Sequence, residues 1–555
     1  DLATLLSATP DHDKEVRELL GAAADSGRGS AAGAEALLLL GDHAFRRHDY
    51  AASAEAYSRL LREYAADARA RAARLPAAWA LFRAERPADA LSVIESGVAD
   101  VQGPARAEWW YVQANCLRLL NRAADAEALY ARLISDYPES TWVQPALYET
   151  AVMAFKAKDA KRALELAARV QAAPELAPDV MWLRAESARE LGRREEALGC
   201  YDQLAREFPA GDRAAPARFQ AARLTQELDR KAEAAARYRA MAKDHPKDAL
   251  AGDALFAAAY CRVVLKDYEA ALADWDILLR QHPAFGRLDE ALYGMAQAQV
   301  DLKRDEAARV TLERLLKEFP LSRLAAEAHY LMGSLLEKSE KWDVAEYHYR
   351  MATLKKADPA LVRKIEFRRV AVLQRQGQHD QAGAVLNGLV EAGAGDEVPA
   401  SLLDWLVRWN VARKQYAEAE RAALALAEQK GPAAWRQIGW YFAGRSRQEL
   451  GRPADARAAY EKSMKVEAAT REGVEAALFL GQVASAEGDW AKAREAWAVS
   501  AERASTDDMA DIRARSYFGL GQAAAAQQQW DDAARSFLGV AVLYDDPTLA
   551  PEALF

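Results

Sequence analysis

The sequence predicts an all-α chain, an α-solenoid of about 14 helix–turn–helix units. Three observations carry this. A small residue recurs at nearly constant spacing, a second small residue precedes it by 12, and an aromatic or large apolar residue follows it by four. The recurring residues are Ser53, Ala90, Ala126, Ala163, Ala197, Ala234, Ala271, Ala308, Ala345, Ala382, Ala419, Ala456, Ala493 and Ala533. From Ala197 to Ala493 every step is 37 residues, and the remaining steps are 34, 36, 37 or 40.

The residue 12 earlier is Gly or Ala in 12 of the 14 units, for example Gly41, Ala259, Gly333 and Gly444, with Val370 and Val407 as exceptions. Small residues on two successive helices let the backbones cross closely. Four residues after each anchor lies Tyr57, Tyr130, Tyr201, Tyr238, Trp275, Tyr349, Tyr460, Trp497 or Phe537, with Ile94, Leu312 and Leu386 as apolar substitutes and Ala167 and Ala423 as weak members. Pro138, Pro209, Pro246, Pro283 and Pro320 stand 12 after the anchor, where proline stops a helix. Gly, Asp or Lys between the two small residues makes a tight turn. Each unit thus reads as helix A, a short turn, helix B and a loop, and stacking with its neighbours supplies the core.

These marks resemble the tetratricopeptide repeat (TPR) over roughly residues 34–555. The resemblance implies a right-handed superhelix whose A helices line the concave surface. The usual period is 34, whereas 37 dominates here, with the extra residues in the loop from B to the next A. That longer form is similar to the repeats of bacterial envelope proteins, such as the periplasmic coordinator of the Tol–Pal system and the lipoprotein of the barrel-assembly machinery. It implies a bacterial periplasmic or outer-membrane-associated protein, with the cytoplasm as the alternative.

Three segments are expected. Residues 1–33 form an N-terminal helix and linker, residues 34–392 hold units 1–10, and residues 393–555 hold units 11–14 and the start of a fifteenth. The Gly-rich stretch Glu391–Trp405 is read as a joint between two superhelical segments. Phe555 stands 37 after Phe518, so the sequence ends inside a further helix A, and a longer protein is expected. The second unit, around Pro76, is degraded.

The chain has 74 basic and 83 acidic residues, interspersed, with a formal net charge of −9, which disfavours nucleic acid as a partner. Cys116, Cys200 and Cys261 form no CxxC pair and read as buried small side chains. No stretch reaches 18 apolar residues, so no transmembrane insertion is expected. There is no GxSxG, P-loop, GxGxxG or HExxH motif, and neither an enzyme nor a cofactor is expected. The eight histidines read as exposed polar residues, with "DHD" at Asp11–Asp13 as the best metal candidate and no metal assigned. Acid pairs Asp507–Asp508, Asp531–Asp532 and Asp545–Asp546 read as helix starts or turns.

One further periodic feature points to binding. Fifteen residues before the anchor an aromatic occurs in ten units: Tyr111, Tyr148, Trp182, Phe219, Phe256, Tyr293, Tyr330, Phe367, Tyr441 and Phe518. On the implied concave face they form a ladder that would grip a protein or peptide, or else serve as framework. Four residues further on, the type varies: Asp42, Trp79, Asn115, Glu186, Arg223, Tyr260, Gln297, Arg408 and Arg445. Asn115 fits one position of a carboxylate-binding TPR set, but the set is incomplete. The expected function is a non-enzymatic protein-interaction scaffold, probing two alternatives: a regulatory or substrate-presenting portion of a larger secretion machine or enzyme, and a carbohydrate- or peptidoglycan-binding module.

Overall fold

The computed structural model describes residues 13–171, 174–355, 358–544 and 548–554. Among them are 30 α-helices and no strand. Backbone packing divides the chain into two compact units, Asp1–Gly286 and Arg287–Phe555.

The eighth repeat shows how the 37-residue period is built. Helix A is Leu288–Asp301 and helix B is Asp305–Glu318, each of 14 residues. Three residues join them, and six more lead to the next helix A at Ala325. Within the joint, Lys303 N–H donates to Val300 O (2.9 Å) and Arg304 N–H to Gln299 O (2.8 Å). This is a Schellman closure, which needs one residue in the left-handed region. Lys303 supplies it at φ 62°.

The same position, five before the anchor, has positive φ in all 14 repeats. It is Gly at 192, 377, 451 and 488 and non-Gly at the other ten, for example His48, Asn121, Lys266 and Gln528. The residue after it starts helix B. In four repeats that residue is an aspartate, Asp49, Asp159, Asp267 or Asp489, whose side chain accepts a backbone N–H of the first turn. Helix B stops before the loop proline. Phe208, His245, His282 and Phe319 all take φ near −127° and ψ near 59°, since a residue preceding proline avoids the helical region.

The anchors sit where the helices cross. Ser53 Oγ on helix B donates to Gly41 O on helix A (2.8 Å), both buried. The seven largest fully buried side chains are Trp497, Tyr57, Tyr130, Tyr201, Tyr238, Tyr349 and Tyr460, all four residues after an anchor. In five repeats the ring lies directly on a helix A glycine. A Cβ at Gly41, Gly333, Gly444, Gly481 or Gly521 would come within 2.4–2.7 Å of Tyr57, Tyr349, Tyr460, Trp497 or Phe537. The two exceptions to the small-residue rule are compensated. Val370 and Val407 are buried in repeats whose aromatic is replaced by the smaller Leu386 and Ala423, which leaves room for the larger helix A side chain.

Five of the buried tyrosine hydroxyls find acceptors on helix A, whereas that of Tyr130 has none among the described residues. Tyr349 donates to Glu337 (2.6 Å), Tyr460 to Gln448 (2.9 Å) and Tyr238 to Gln226 (3.2 Å), while Tyr57 and Tyr201 donate to Asp42 and Glu186. Burial and the neighbouring carboxylates hold the Tyr57, Tyr201 and Tyr349 phenols above their ordinary range.

The irregular segments are more ordered than their composition suggests. The N-terminal helix is Asp13–Ser26, burying Val16, Leu20 and Ala24. It extends into the stretch expected as linker, which shrinks to the four residues before Ala31. The second repeat has Pro76 inside helix A (Ala68–Arg83) and a helix B of only nine residues, Pro87–Glu95. Around Glu391–Trp405 one hydrophobic cluster continues from Val370 through Val398 to Ala496. Gln429 Nε2 donates to the carbonyls of Gly395 (3.0 Å) and Val398 (2.7 Å), fastening this loop. Gln437, fully buried, fastens the loop before Arg471 in the same way: Nε2 donates to Ser463 O (3.2 Å), and Oε1 accepts from the Thr470 hydroxyl (2.8 Å). The Asp545–Asp546 pair and residues 172–173 of the fourth repeat's junction lie outside the described residues.

Two outcomes follow for stability. Gly333→Ala should destabilise the protein by about 1–3 kcal/mol through overpacking against Tyr349. Gly199→Ala, on an open helix position with nothing within 4 Å, should be neutral or stabilising. Urea denaturation of both variants checks this, and equal effects would refute the crossing geometry. At the A–B turn, Gly488 (φ 79°) replaced by Val should cost about 1–2 kcal/mol, whereas Lys266→Gly should not lower the denaturation midpoint.

Candidate protein-interaction face

Successive A helices approach one another in both compact units. Ala31–Arg46 touches Ala68–Arg83, which touches Arg106–Leu119; Ala433–Glu449 touches Arg471–Ala486, which touches Ala510–Ala526. Successive B helices draw as close at His379–Glu391 and Tyr416–Glu428. Where the A helices approach in this way they lie on the inner side of the local curvature, and the ten ladder aromatics lie on A helices.

Nine of the ten are half-buried, and Tyr441 is buried at 4% exposure. Six pack against the framework aromatic of their own repeat, 19 residues on. The pairs are Tyr111–Tyr130, Trp182–Tyr201, Phe219–Tyr238, Tyr330–Tyr349, Tyr441–Tyr460 and Phe518–Phe537, with centroids 5.3–6.5 Å apart. Phe256 meets Phe285 at 5.9 Å, Phe367 packs on the cluster around Val370, and Tyr148 packs beside Ala151 and Leu183. Tyr293 is held above its ordinary phenol range by burial and by Glu327, and burial pushes Tyr148 up to about 12.

Neighbouring cations cover some of these rings. Arg213 lies over Trp182 at 5.1 Å and Lys364 over Tyr330 at 5.2 Å. Tyr441 is enclosed by its hydrogen bond to Glu475 (2.5 Å) and one from Arg445 (3.3 Å). The nine half-buried rings therefore give part of their surface to the framework and leave the rest exposed, whereas Tyr441 belongs to the framework.

The variable positions four residues on divide into two kinds. Asn115 is 2% exposed, and its Nδ2 donates to Tyr111 O (3.0 Å) while Arg118 donates to its Oδ1 (3.1 Å). It is a core amide. Glu186 accepts from Tyr201 and pairs with Arg189 (2.5 Å). Arg408 pairs with Asp404 and Glu472, and Arg445 lies over Phe479 at 4.2 Å. Tyr260, by contrast, is 56% exposed, and Val264 one turn further along the same helix is 50% exposed. With Phe256 they occupy i, i+4 and i+8 of helix Ala251–Val264, one apolar row along that helix. The periodic aromatic signal missed Val264, because the repeat register places no rule there.

The aromatic cluster of repeats 2–4 also goes beyond the ladder. Trp142 stacks on Tyr111 (4.8 Å) and lies 5.6 Å from Trp79. Trp142 falls in a B-to-A loop, outside any periodic position.

Five histidines depart from the expectation of exposed polar residues, and two of them, His245 and His282, are half-buried before the loop prolines. His43 is 2% exposed, with Nε2 2.8 Å from Asp13 Oδ1. His329 is buried and His348 half-buried, and their Nδ1 atoms are 2.9 Å apart. They lie 19 residues apart, a spacing that brings helices A and B together in this fold. A short-range motif search does not sample it. Asp13, one end of the metal candidate, pairs instead with His43 and Arg17, and Asp11 and His12 lie outside the described residues. Among the described residues no group of three or more His, Cys, Asp or Glu is placed to hold a metal, and no helix is long and apolar enough to cross a membrane. Cys116 and Cys261 are buried, Cys200 is half-buried, and all three are free thiols. Burial pushes the Cys116 thiol up to about 12.

The repeating helix pair and its glycine–aromatic crossing agree with comparisons to known families. One tetratricopeptide-repeat family model matches residues 75–141 and 441–510, and a second matches 179–210 and 290–322. The chain carries tetratricopeptide repeats. Solved TPR structures similar to it include the C-terminal part of a TPR repeat-containing protein from Cytophaga hutchinsonii, at 16% identity over 46% of this chain and 99% of that one, with a TM-score of 0.38. A tetratricopeptide repeat protein from Parabacteroides merdae is 14% identical over 55% of this chain and 98% of that one, with a TM-score of 0.29. Pseudomonas aeruginosa pilF is 18% identical over 48% and 95%, with a TM-score of 0.24. No curated protein matches the TPR chain.

Burial lowers both His329 and His348 to about 4 from an ordinary value of 6.5. In this case the folded state holds the neutral imidazoles and the unfolded chain takes up protons first. Their contribution to stability is full above pH 6.5, declines as pH falls towards about 4, and levels off below that. Thermal melts from pH 7 to pH 4 should show a shallower decline for His348→Gln than for the wild type. Parallel curves would exclude the pair as a titrating unit.

Proposed function

We propose that this TPR chain is a protein-interaction scaffold that binds a segment of a partner protein along the inner face of its A helices. The row of half-buried Phe256 with exposed Tyr260 and Val264 carries this reading. Contiguous exposed apolar side chains on one helix favour association, and aromatic side chains give a large contact area for few frozen torsions. The ladder aromatics extend the same face over neighbouring repeats with their uncovered ring surface. The 37-residue unit, similar to the repeats of bacterial envelope proteins, supports a place in a cell-envelope assembly as part of this proposal.

Tyr260→Ala with Val264→Ala tests the face without touching the core, since both side chains are at least half exposed. Affinity for a partner recovered from envelope or soluble extract of the native organism should fall at least about tenfold while the melting temperature stays unchanged. Full retention of affinity would exclude this row from the binding site, and recovery only from the soluble extract would exclude the envelope role.

A further inference from the structure

A cavity of about 590 Å³ opens between the A helices of the first two repeats, Ala31–Arg46 and Ala68–Arg83, with Leu20 of the N-terminal helix at its edge. Its apolar wall is built from Leu39, Phe45, Leu75, Pro76 and Trp79. Two carboxylates, Asp42 and Glu108, share that lining. Asp42 accepts from the Tyr57 hydroxyl, and Glu108 accepts from Trp79 Nε1 (2.9 Å). Both donors are neutral. Among the described residues neither carboxylate has a Lys, Arg or His nitrogen within 4 Å, whereas A-helix acids such as Glu149, Glu186 and Glu472 are paired with arginine. Arg46 is the one arginine of the lining, and its Nε donates to the backbone carbonyl of Asp42 (3.3 Å). Two carboxylates against one guanidinium leave the wall net acidic.

An ionised carboxylate has about four lone-pair sites and is stabilised most by a cationic donor. One neutral hydrogen bond each leaves Asp42 and Glu108 with unused acceptor capacity facing an apolar space. A side chain that suits both parts of this lining has an aliphatic body and a cationic end.

We propose that this cavity receives a lysine or arginine side chain from the partner segment, its methylene stem on Leu75, Pro76 and Trp79 and its charged end between Asp42 and Glu108. The assignment rests on the scaffold reading for the source of the segment and deepens it by giving the segment's chemistry.

The test uses the full chain and three fluorescein-labelled, N-acetylated peptides: Gly-Leu-Lys-Trp-Lys-Leu-Gly, its norleucine counterpart and its glutamate counterpart. Anisotropy titrations are run at about 50 mM and about 300 mM salt, which screens charge–charge attraction to different extents. The lysine peptide is expected to bind at least about tenfold more tightly than the norleucine peptide at low salt, with the advantage shrinking at high salt. Asp42→Asn with Glu108→Gln keeps an oxygen acceptor for Tyr57 and Trp79 while deleting both charges, and it should abolish that advantage. A thermal melt establishes that the variant is folded, and Glu108→Gln alone serves if the double variant is not. Equal binding of the lysine and norleucine peptides, or an advantage that survives the amides, overturns the proposal. Charge-dependent peptide binding together with partner binding that is indifferent to Tyr260→Ala and Val264→Ala would keep the cavity and reject the row. The reverse pattern would keep the row and reject the cavity.

Discussion

Nine of the 14 repeats depend on one contact, an aromatic ring from helix B laid on a helix A residue that has little or no side chain. The ring fills the wedge between the two helices, and the small residue lets it come close enough to do so. Where helix A has valine instead, helix B has leucine or alanine, as at Val370 with Leu386 and Val407 with Ala423. A larger residue on helix A thus goes with a smaller one on helix B in these two repeats, since a well-packed crossing has no room for both.

This is why so much of the fold can be read from the sequence. A crossing that recurs every 37 residues leaves small and large residues in register, and the end of helix A and the start of helix B fall at fixed offsets from them. The turn was readable as a turn, but the left-handed residue at its centre was not, because ten of the 14 positions hold a residue other than glycine. The Schellman closure imposes the conformation there, overriding local preference. The fastening of the loops around Glu391–Trp405 and before Arg471 was not readable for a different reason. Their Gly-rich or small-residue composition suggests freedom, whereas Gln429 and Gln437 hydrogen-bond to them from 26 to 34 residues away.

The candidate interaction face was readable only in part. Period alone found the ten aromatics, yet the same regularity reflects their packing on Tyr130, Tyr201, Tyr238, Tyr349, Tyr460 and Phe537. Features suited to recognition lie where the period lapses. Tyr260 and Val264 stand exposed at positions that hold polar residues in neighbouring repeats, as Arg223 and Glu227 do. Asp42 and Glu108 lack the arginine that acids such as Glu149, Glu186 and Glu420 have. A sequence read for its repeats shows what is common to the units, and the chemistry that could distinguish a ligand belongs to the departures.

The second repeat has a consequence beyond its own geometry. Pro76 donates no hydrogen bond to the carbonyl of Ala72, and the helix B that should cover this repeat stops after nine residues. In a linear array each unit is held only by its neighbours, so the chain has no distant contacts with which to make up a local deficit. Amide protons between residues 77 and 95 should therefore exchange with solvent sooner than those of the 14-residue helices further along. Because Pro76 and Trp79 also line the acidic cavity, a side chain seated there would slow that exchange, and the least stable stretch of the array would register its occupancy.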